Sequence, residues 1–201
     1  DVNEDFISLY GEVPILCPSL HMQLQSGNDR ILKAMNRNYR VSRYRSILDS
    51  VRSRVPNIAI TSDIIVGFPT ETDQEFQDTL DMVNDIGYSM TFSFVYSIRP
   101  NTTAQKIYSS EDEIPIDVAK ERLYRLQAAQ KRISKKFNDS FVGNDSEVLV
   151  ESIEKKDSIY EYRGNPENIL VYFTGTQQIK LGSLVSVPIV ASMPNSLQGV
   201  L

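Results

Sequence analysis

Residues 61–72, with the sequence TSDIIVGFPTET, constrain the fold of this chain more than any other segment. Their apolar run, Ile-Ile-Val, ends at Gly67 and is followed by Pro69, which is the pattern of a short buried strand that closes in a tight turn. In open α/β sheets and barrels, ligands bind at the carboxyl ends of the strands. The turn is therefore either part of a ligand site or a plain connection.

A helix is predicted directly after this turn, because Thr72 and Glu75 have the spacing of a capping box and Gly87 suits a C-cap. Strand and helix alternate at intervals of roughly 30 to 40 residues, which predicts βαβ units and a parallel sheet. The strand at 90–96 is apolar or aromatic except for Thr91 and Ser93, as in a strand buried on both faces. The predicted strands cover 20–24, 58–66 and 90–96, and the predicted helices cover 3–12, 42–54, 73–87 and 118–136, with a further helix capped by Asn28.

The character of the sequence changes beyond Gly143. Short β-branched runs follow one another, and glycines and Pro188 separate them. Several short strands at a spacing of roughly 10 to 15 residues predict a small closed barrel. The chain is therefore expected to contain two domains, residues 1–136 and 137–201.

Three strings carry a resemblance to one family: LHMQLQSGNDR at 20–30, the string at 61–72, and FSFVYSIRP at 92–100. In this order and at about this spacing, they resemble the radical S-adenosylmethionine (SAM) methylthiotransferases, and look most like the tRNA-modifying, MiaB-type branch. The likeness covers nearly all 201 residues. It implies an α/β fold class: half of a partial (β/α)6 radical SAM barrel in residues 1–136, followed by a small all-β TRAM (OB-like) barrel in residues 137–201.

The segment around His21 is the first candidate for a site. On an extended strand, His21, Gln23 and Gln25 point to one face, and three polar side chains there need partners. A ligand in a barrel lumen, a buried hydrogen-bond network and general-base catalysis by His21 are the alternatives. The resemblance implies that this strand and the turn at 61–72 line the SAM side, although Thr70 stands where the family typically has glycine. The expected cofactor-binding residues are Gln23, Gln25, Ser26, Gly67, Phe68, Glu71 and Tyr96.

The charges are unevenly distributed around a net charge of −5. Residues 30–54 contain eight Lys/Arg and one acid, residues 120–136 contain seven and one, and residues 71–85 contain six acids and no base. Such runs are either solvated helix faces or parts of a polyanion-binding surface. Arg99 is either a phosphate ligand or an ion-pair partner. With the tRNA substrate that the resemblance implies, the expected RNA-binding residues are Arg99, Arg125, Arg132, Lys135, Lys155 and Arg163.

Cys17 is the only cysteine. It excludes an internal disulfide and any cluster held by several thiolates of this chain, and we predict no metal site. The resemblance implies that the parent protein binds SAM and two [4Fe-4S] clusters, whose ligands are absent from these 201 residues. Because the chain begins without Met, we expect it to be the C-terminal portion of a longer protein and inactive alone.

The implied activity is methylthiolation of carbon 2 of an isopentenyl-modified adenosine beside the tRNA anticodon. It implies a cytoplasmic enzyme with tRNA and an electron-donor protein as partners, and no membrane contact, since no apolar run reaches the roughly 18 residues needed to span a bilayer. The alternatives are the branches that modify threonylcarbamoyladenosine in tRNA or a ribosomal protein, and a non-catalytic RNA-binding module.

Overall fold

The computed structural model describes residues 2–10, 12–13, 16–157, 159–165 and 169–201. The chain divides into two compact units, Asp1–Gln130 and Lys131–Leu201. The division lies within one long helix, Ile116–Asp139. Each unit has its own sheet, a three-stranded sheet in the first and a closed barrel in the second.

The first unit alternates strands and helices as predicted, and its sheet is parallel with the order β1-β2-β3. The strands are β1 (Ser19–His21), β2 (Ala59–Val66) and β3 (Met90–Val95). The helices are α1 (Glu4–Leu9), α2 (Asp29–Ala34), α3 (Val41–Arg54), α4 (Asp73–Ile86), α5 (Thr103–Ile107) and α6 (Ile116–Asp139), the last of which continues into the second unit.

The side chains of the central strand β2 show that the two faces of the sheet differ in exposure. Ile60, Ile64 and Val66 are at most 1% exposed, as expected for side chains in the core of the unit. Asp63 and Ile65 alternate with them and are only half-buried. Because neighbouring strand residues point to opposite faces, one face of the sheet lies in the core and the other is open.

The prediction that β3 is buried on both faces is wrong. Met90, Phe92 and Phe94 are 38%, 47% and 54% exposed. β3 is an edge strand of the sheet, and no strand of the described ranges pairs with its outer side. Phe92 and Phe94 form an exposed aromatic strip on the open face, next to the exposed Met90.

The first predicted strand and the first predicted helix are both shorter than expected. β1 ends at His21, and the chain rejoins the sheet only through an isolated bridge between Gln25 and Ile64. Gln25 has a left-handed backbone, with φ of 63°, so residues 21, 23 and 25 are not one extended run. The helix predicted over 3–12 extends only from Glu4 to Leu9.

The helix caps predicted at Asn28, Thr72 and Gly87 are confirmed, whereas Asp117, predicted to cap the long helix, lies inside its first turn. The Asn28 side chain accepts hydrogen bonds from two backbone amides of α2. Thr72 and Glu75 form a reciprocal capping box at the start of α4, and Gly87 ends that helix with φ of 67°. Each cap depends on residues at most four positions apart, which is why the sequence pattern is sufficient to identify it.

The second unit is a closed five-stranded barrel with the order β4-β5-β6-β8-β7. β6 and β8 are parallel, whereas the other neighbouring pairs are antiparallel, and β7 pairs with β4 to close the barrel. The strands are β4 (Asp145–Lys156), β5 (Ile159–Asn165), β6 (Leu170–Gly175), β7 (Leu184–Met193) and β8 (Ser196–Val200).

The barrel core contains two stacked aromatic side chains. Tyr162 and Phe173 are each 2% exposed, and their ring centroids lie 4.8 Å apart. The Tyr162 hydroxyl donates to the Gln177 carbonyl at 2.6 Å and accepts from the Ile179 amide at 3.1 Å, so the buried hydroxyl is satisfied. These two aromatic residues are therefore part of the barrel core.

The tight packing of the barrel predicts different responses at two glycines. A Cβ atom on Gly199 would lie 2.3 Å from Val187 Cγ1 and 3.0 Å from the Pro188 carbonyl, whereas one on Gly175 would make ordinary contacts of 3.5 Å or more. Gly199→Ala should therefore lower the unfolding free energy of the barrel by about 1–3 kcal/mol, the usual cost of overpacking. Gly175→Ala is the matched control.

Hydrogen exchange at the barrel amides measures this difference, because those amides exchange when the barrel opens. Protection should fall in Gly199→Ala and stay near the wild-type level in Gly175→Ala. Equal protection in the two variants would contradict the close approach of β8 to β7.

Candidate functional site

Contacts within the first unit fix the conformation of the turn after β2. Gly67 has a left-handed backbone with φ of 72°, and its amide donates to Glu71 Oε2 at 2.8 Å. A Cβ atom at Gly67 would lie 2.8 Å from Ala119 Cβ of α6. The space beside this glycine is therefore occupied by a helix, and a close approach of ligand to this side is not available.

Glu71 forms a buried ion pair. Its side chain is 0% exposed, and Oε2 accepts a hydrogen bond from Arg122 Nη1 at 2.8 Å. The Arg122 side chain is 4% exposed and also binds Asp73 Oδ1 at 2.6 Å. Burial raises the pKa of the Glu71 carboxyl, and the Gly67 amide and Arg122 oppose that rise. The predicted contact between Glu71 and a cofactor is not supported by this geometry, because the carboxylate faces inward.

Phe68 and Tyr96, two predicted cofactor residues, are brought together. Phe68 is 2% exposed, and its ring packs edge-on against Tyr96 at 4.7 Å and Tyr108 at 5.5 Å. Phe68 therefore presents no open face to an adenine ring. The half-buried Tyr96 stands at the end of β3, where its amide donates to the Val66 carbonyl at 2.8 Å.

Thr70 occupies a conformation that favours glycine. Its φ is 65°, and its amide donates to the Asp112 carbonyl at 2.8 Å. Arg30 donates to the Thr70 hydroxyl and carbonyl at 3.1 and 2.8 Å, and binds both carboxylate oxygens of Glu75. The hydrogen bond from Arg30 is the main cause that lowers the pKa of Glu75 to about 2. These contacts offset the strain of a non-glycine residue with positive φ.

The second predicted turn, after β1, is also partly committed to internal contacts. The Gln25 amide donates to the Asp63 carbonyl and the Gln25 carbonyl accepts from the Ile65 amide, both at 2.9 Å. Ser26 is 0% exposed and its hydroxyl lies 3.3 Å from that of Thr79 in α4. Ser26 is therefore a packing residue, while the exposed Gln23 remains accessible to a ligand.

A polar cluster on the open face of the sheet is the strongest candidate site. His21 Nδ1 hydrogen-bonds Thr61 Oγ1 at 2.9 Å, and His21 Nε2 lies 3.6 Å from Asp63 Oδ2. Gln23 Nε2 donates to the same Asp63 oxygen at 2.8 Å. The Phe92 ring lies next to this cluster, with its centroid 6.4 Å from that of His21. An imidazole, a carboxamide and a carboxylate beside an exposed aromatic ring suit a planar, polar ligand such as a nucleobase.

The sequence prediction included His21 and Gln23 but missed Asp63 and Phe92 as members of this cluster. The available signal was strand alternation in a parallel sheet: His21 is in register with Thr61, and Asp63 with Phe92. Residues in register on neighbouring parallel strands share a face, and the register seen in the structure, which the strand prediction did not specify, brings these side chains together.

The predicted RNA-binding residues differ in their surroundings. Arg125 lies over the Phe76 ring at 4.9 Å and donates to Gln77. Lys135 binds Asp139 and Ser192, and Lys155 lies over a tyrosine ring. Arg99, Arg132 and Arg163 are exposed, on the loop after β3, on α6 and on β5 respectively. The assignment of all six residues to RNA binding stays a prediction.

The acidic helix α4 accounts for part of the charge pattern. Its acids meet bases from both basic segments: Glu75 binds Arg30, Asp85 binds Arg45 at 2.8 Å, and Asp73 binds Arg122. Several basic residues of the segments that were predicted as a possible polyanion-binding surface therefore form ion pairs within the first unit.

The comparison with known proteins identifies the relationship. Residues 1–83 match the model of the Radical SAM superfamily. The synthase of tRNA-2-methylthio-N(6)-dimethylallyladenosine from Novosphingobium aromaticivorans is 43% identical over 199 residues, which is 99% of this chain and 44% of the relative. The predicted resemblance to the radical SAM methylthiotransferases is confirmed. The enzyme of the same name from Clavibacter sepedonicus is 53% identical over 151 residues, which is 75% of this chain and 28% of that relative.

The match covers only part of the length of each relative. The chain spans less than half the length of the curated relatives it matches. Among solved structures, coproporphyrinogen III oxidase (HemN) from Escherichia coli, a radical SAM enzyme, aligns with a TM-score of 0.52 at 16% identity over 81% of this chain and 44% of that chain. At this identity, the likeness establishes only an α/β fold of the radical SAM kind.

The residues present fit SAM in part and do not fit an iron–sulfur cluster. Gln23 and Tyr96 stand near the carboxyl ends of β1 and β3, where a polar ligand of a parallel sheet binds. The described residues contain no group of three or more His, Cys, Asp or Glu that could hold a metal ion. Cys17 is the single thiol of the chain, and one thiolate does not hold a cluster.

The Arg30–Glu75 contact predicts a pH dependence of stability. Because the pKa of Glu75 falls to about 2 from an ordinary value of 4.5, its stabilisation is fully present above pH 4.5 and is lost as the pH falls toward 2. The difference in unfolding free energy between the wild type and Glu75→Gln should therefore shrink over that window.

Urea unfolding at several pH values measures this difference. Glu111→Gln is the control, because the exposed Glu111 side chain makes no ion pair with any of the described residues. A Glu75→Gln difference that stays constant from about pH 5 to pH 2 would exclude Arg30 as the source of the stabilisation.

Proposed function

We propose that this chain is the substrate-side region of a tRNA methylthiotransferase that modifies carbon 2 of an isopentenyl-modified adenosine beside the anticodon. The observation that carries this proposal is the extent of the match, because 199 residues align with a relative named for that product. Both units of the chain are included in that alignment. A binding module shared with unrelated enzymes would be expected to match over one unit only.

The open face of the sheet is where the modified adenosine binds in this proposal. Phe92 and Phe94 offer exposed aromatic surface to the adenine ring and its isopentenyl group. His21 and Asp63 lie beside them with hydrogen-bonding groups for the edge of the base. Stacking on aromatic side chains and edge hydrogen bonds are the usual means by which proteins recognise a single RNA base.

The remaining chemistry belongs to groups that other parts of the protein would hold. SAM and two [4Fe-4S] clusters would supply the methyl group, the radical and the sulfur, with an electron-donor protein to reduce the clusters. Within this chain, we place Gln23, Gln25 and Tyr96 on the SAM side. Glu71, Gly67 and Phe68 act indirectly, by fixing the turn between β2 and α4.

The second unit fits the TRAM-like, RNA-binding module that the resemblance implies. We propose residues 1–136 as radical SAM core and residues 137–201 as this module, with Lys155 and Arg163 among its RNA contacts. No helix in the described ranges is long and apolar enough to cross a membrane. We place the reaction in the cytoplasm, where tRNA is modified.

The proposed activity predicts a specific nucleoside. The full-length gene, expressed in a bacterial strain that lacks its own methylthiotransferase, should convert N6-isopentenyladenosine in tRNA to its 2-methylthio derivative. Mass spectrometry of digested tRNA measures both nucleosides. Methylthiolation of threonylcarbamoyladenosine instead would establish the other tRNA branch, and unchanged tRNA with intact RNA binding would favour the non-catalytic module.

The open face predicts the effect of a single substitution. Phe92→Ala in the full-length enzyme should lower methylthiolation at subsaturating tRNA about fivefold or more, because stacking on an aromatic side chain is worth about 1–3 kcal/mol per base. Thermal stability should change little, since Phe92 is 47% exposed. Ile107→Ala, another large exposed apolar residue at 65%, is the control. Normal kinetics for Phe92→Ala would remove this strip from the substrate site.

A further inference from the structure

A cleft in the first unit carries a concentration of positive charge that the acidic helix α4 does not neutralise. It is formed by α2, the start of α3 and the loop between them. Asp29 is the only acid among its lining residues, and its carboxylate is bonded to the Val41 amide at 2.8 Å. Besides Arg30, the exposed cations of the cleft are Lys33, Arg37, Arg40 and Arg43.

These cations differ from the other bases of the same segment. Arg30 and Arg45 are paired with Glu75 and Asp85 of α4. Lys33, Arg40 and Arg43 make no ion pair or side-chain hydrogen bond with any residue that the structure describes. Like charges in one cleft repel each other, so this arrangement is unfavourable until an anion binds there.

The start of α3 departs from the usual sequence preferences for a helix. Arg40 is the N-cap residue and makes no side-chain cap hydrogen bond, although Ser, Thr, Asp and Asn are preferred there. The first turn contains no acid, and Arg43 lies in it. Cations at the helix end that carries positive partial charge reduce stability. Local rules are most often broken where a residue serves a function, and here the shared property of these residues is positive charge.

The cleft is connected to the open face of the sheet. Arg37 donates to the Gln25 side-chain oxygen at 3.2 Å. The Tyr39 hydroxyl lies 3.1 Å from both the Gln23 and Leu24 carbonyl oxygens. A ligand held by the cleft is therefore next to the turn that follows β1, and close to the polar cluster of His21 and Asp63.

We propose that this cleft binds the phosphate backbone of the substrate RNA next to the nucleotide that enters the open face. The inference rests on the proposed function. Several cations spread along a cleft match a repeating polyanion better than a single small anion, and arginine binds phosphate bidentately. The paired bases Arg30 and Arg45 keep the helices in place, and Lys33, Arg40 and Arg43 contact the RNA.

The test compares two double variants of the full-length protein with equal changes in charge. Arg40→Ala/Arg43→Ala removes two cations of the cleft. Arg54→Ala/Lys106→Ala removes two exposed cations that lie outside it, on α3 and α5. Binding to a synthetic anticodon stem–loop is measured as a function of salt. The cleft variant should bind about tenfold or more weakly at low salt, with a salt slope smaller by about 1.4–1.8, and the control should stay near wild type.

A single variant separates folding from binding. Arg40→Ser supplies the missing N-cap side chain, so it should raise the melting temperature while it weakens RNA binding. A structural role for Arg40 predicts the opposite change in melting temperature. Cleft variants that bind the stem–loop as tightly as the control would overturn the proposal, even when the wild type forms the methylthio nucleoside. A wild-type protein that neither binds the stem–loop nor modifies tRNA would overturn the proposed function together with it.

Discussion

Two carboxylates, that of Glu71 in the turn before α4 and that of Glu75 in the first turn of α4, stabilise the part of the first unit that contains the candidate site. Glu71 is buried against Arg122, and Glu75 binds Arg30. Removing two charges from water is costly, so such a pair is tolerated only with further hydrogen bonds, which here come from the Gly67 amide and from Asp73. Loss of one partner would leave a buried charge without compensation.

This arrangement decides which residues are available to a ligand. The turn after β2 belongs to a string that resembles the methylthiotransferases, yet its glycine is packed against α6 and its carboxylate faces inward. The turn therefore works as a brace that fixes the ends of β2 and α4. In the proposed function, the ligand binds instead at the open face, where His21, Asp63 and Phe92 lie on three neighbouring parallel strands, with Asp63 in register with Phe92 and His21 in register with Thr61.

Helix α4 forms ion pairs with some basic residues of the first unit and leaves others unpaired with it. Arginines that face α4 are neutralised and serve stability, as Arg45 does with Asp85. Those that face away, such as Arg40 and Arg43, stay exposed and keep their charge for a partner. An acidic protein with a net charge of −5 thus retains a local surface suited to a polyanion.

The strand–helix alternation, the caps at Asn28, Thr72 and Gly87, and the resemblance to the methylthiotransferases could all be predicted from the sequence. These signals are local or are carried by short strings, so they survive without knowledge of distant contacts. The burial of Glu71, the exposure of the edge strand β3 and the pairing of individual arginines could not be predicted from the sequence and are seen only in the folded structure. The reason is distance along the chain: the partners of Arg30 and Arg122 are 45 to 51 residues away, and spacing alone does not specify such contacts.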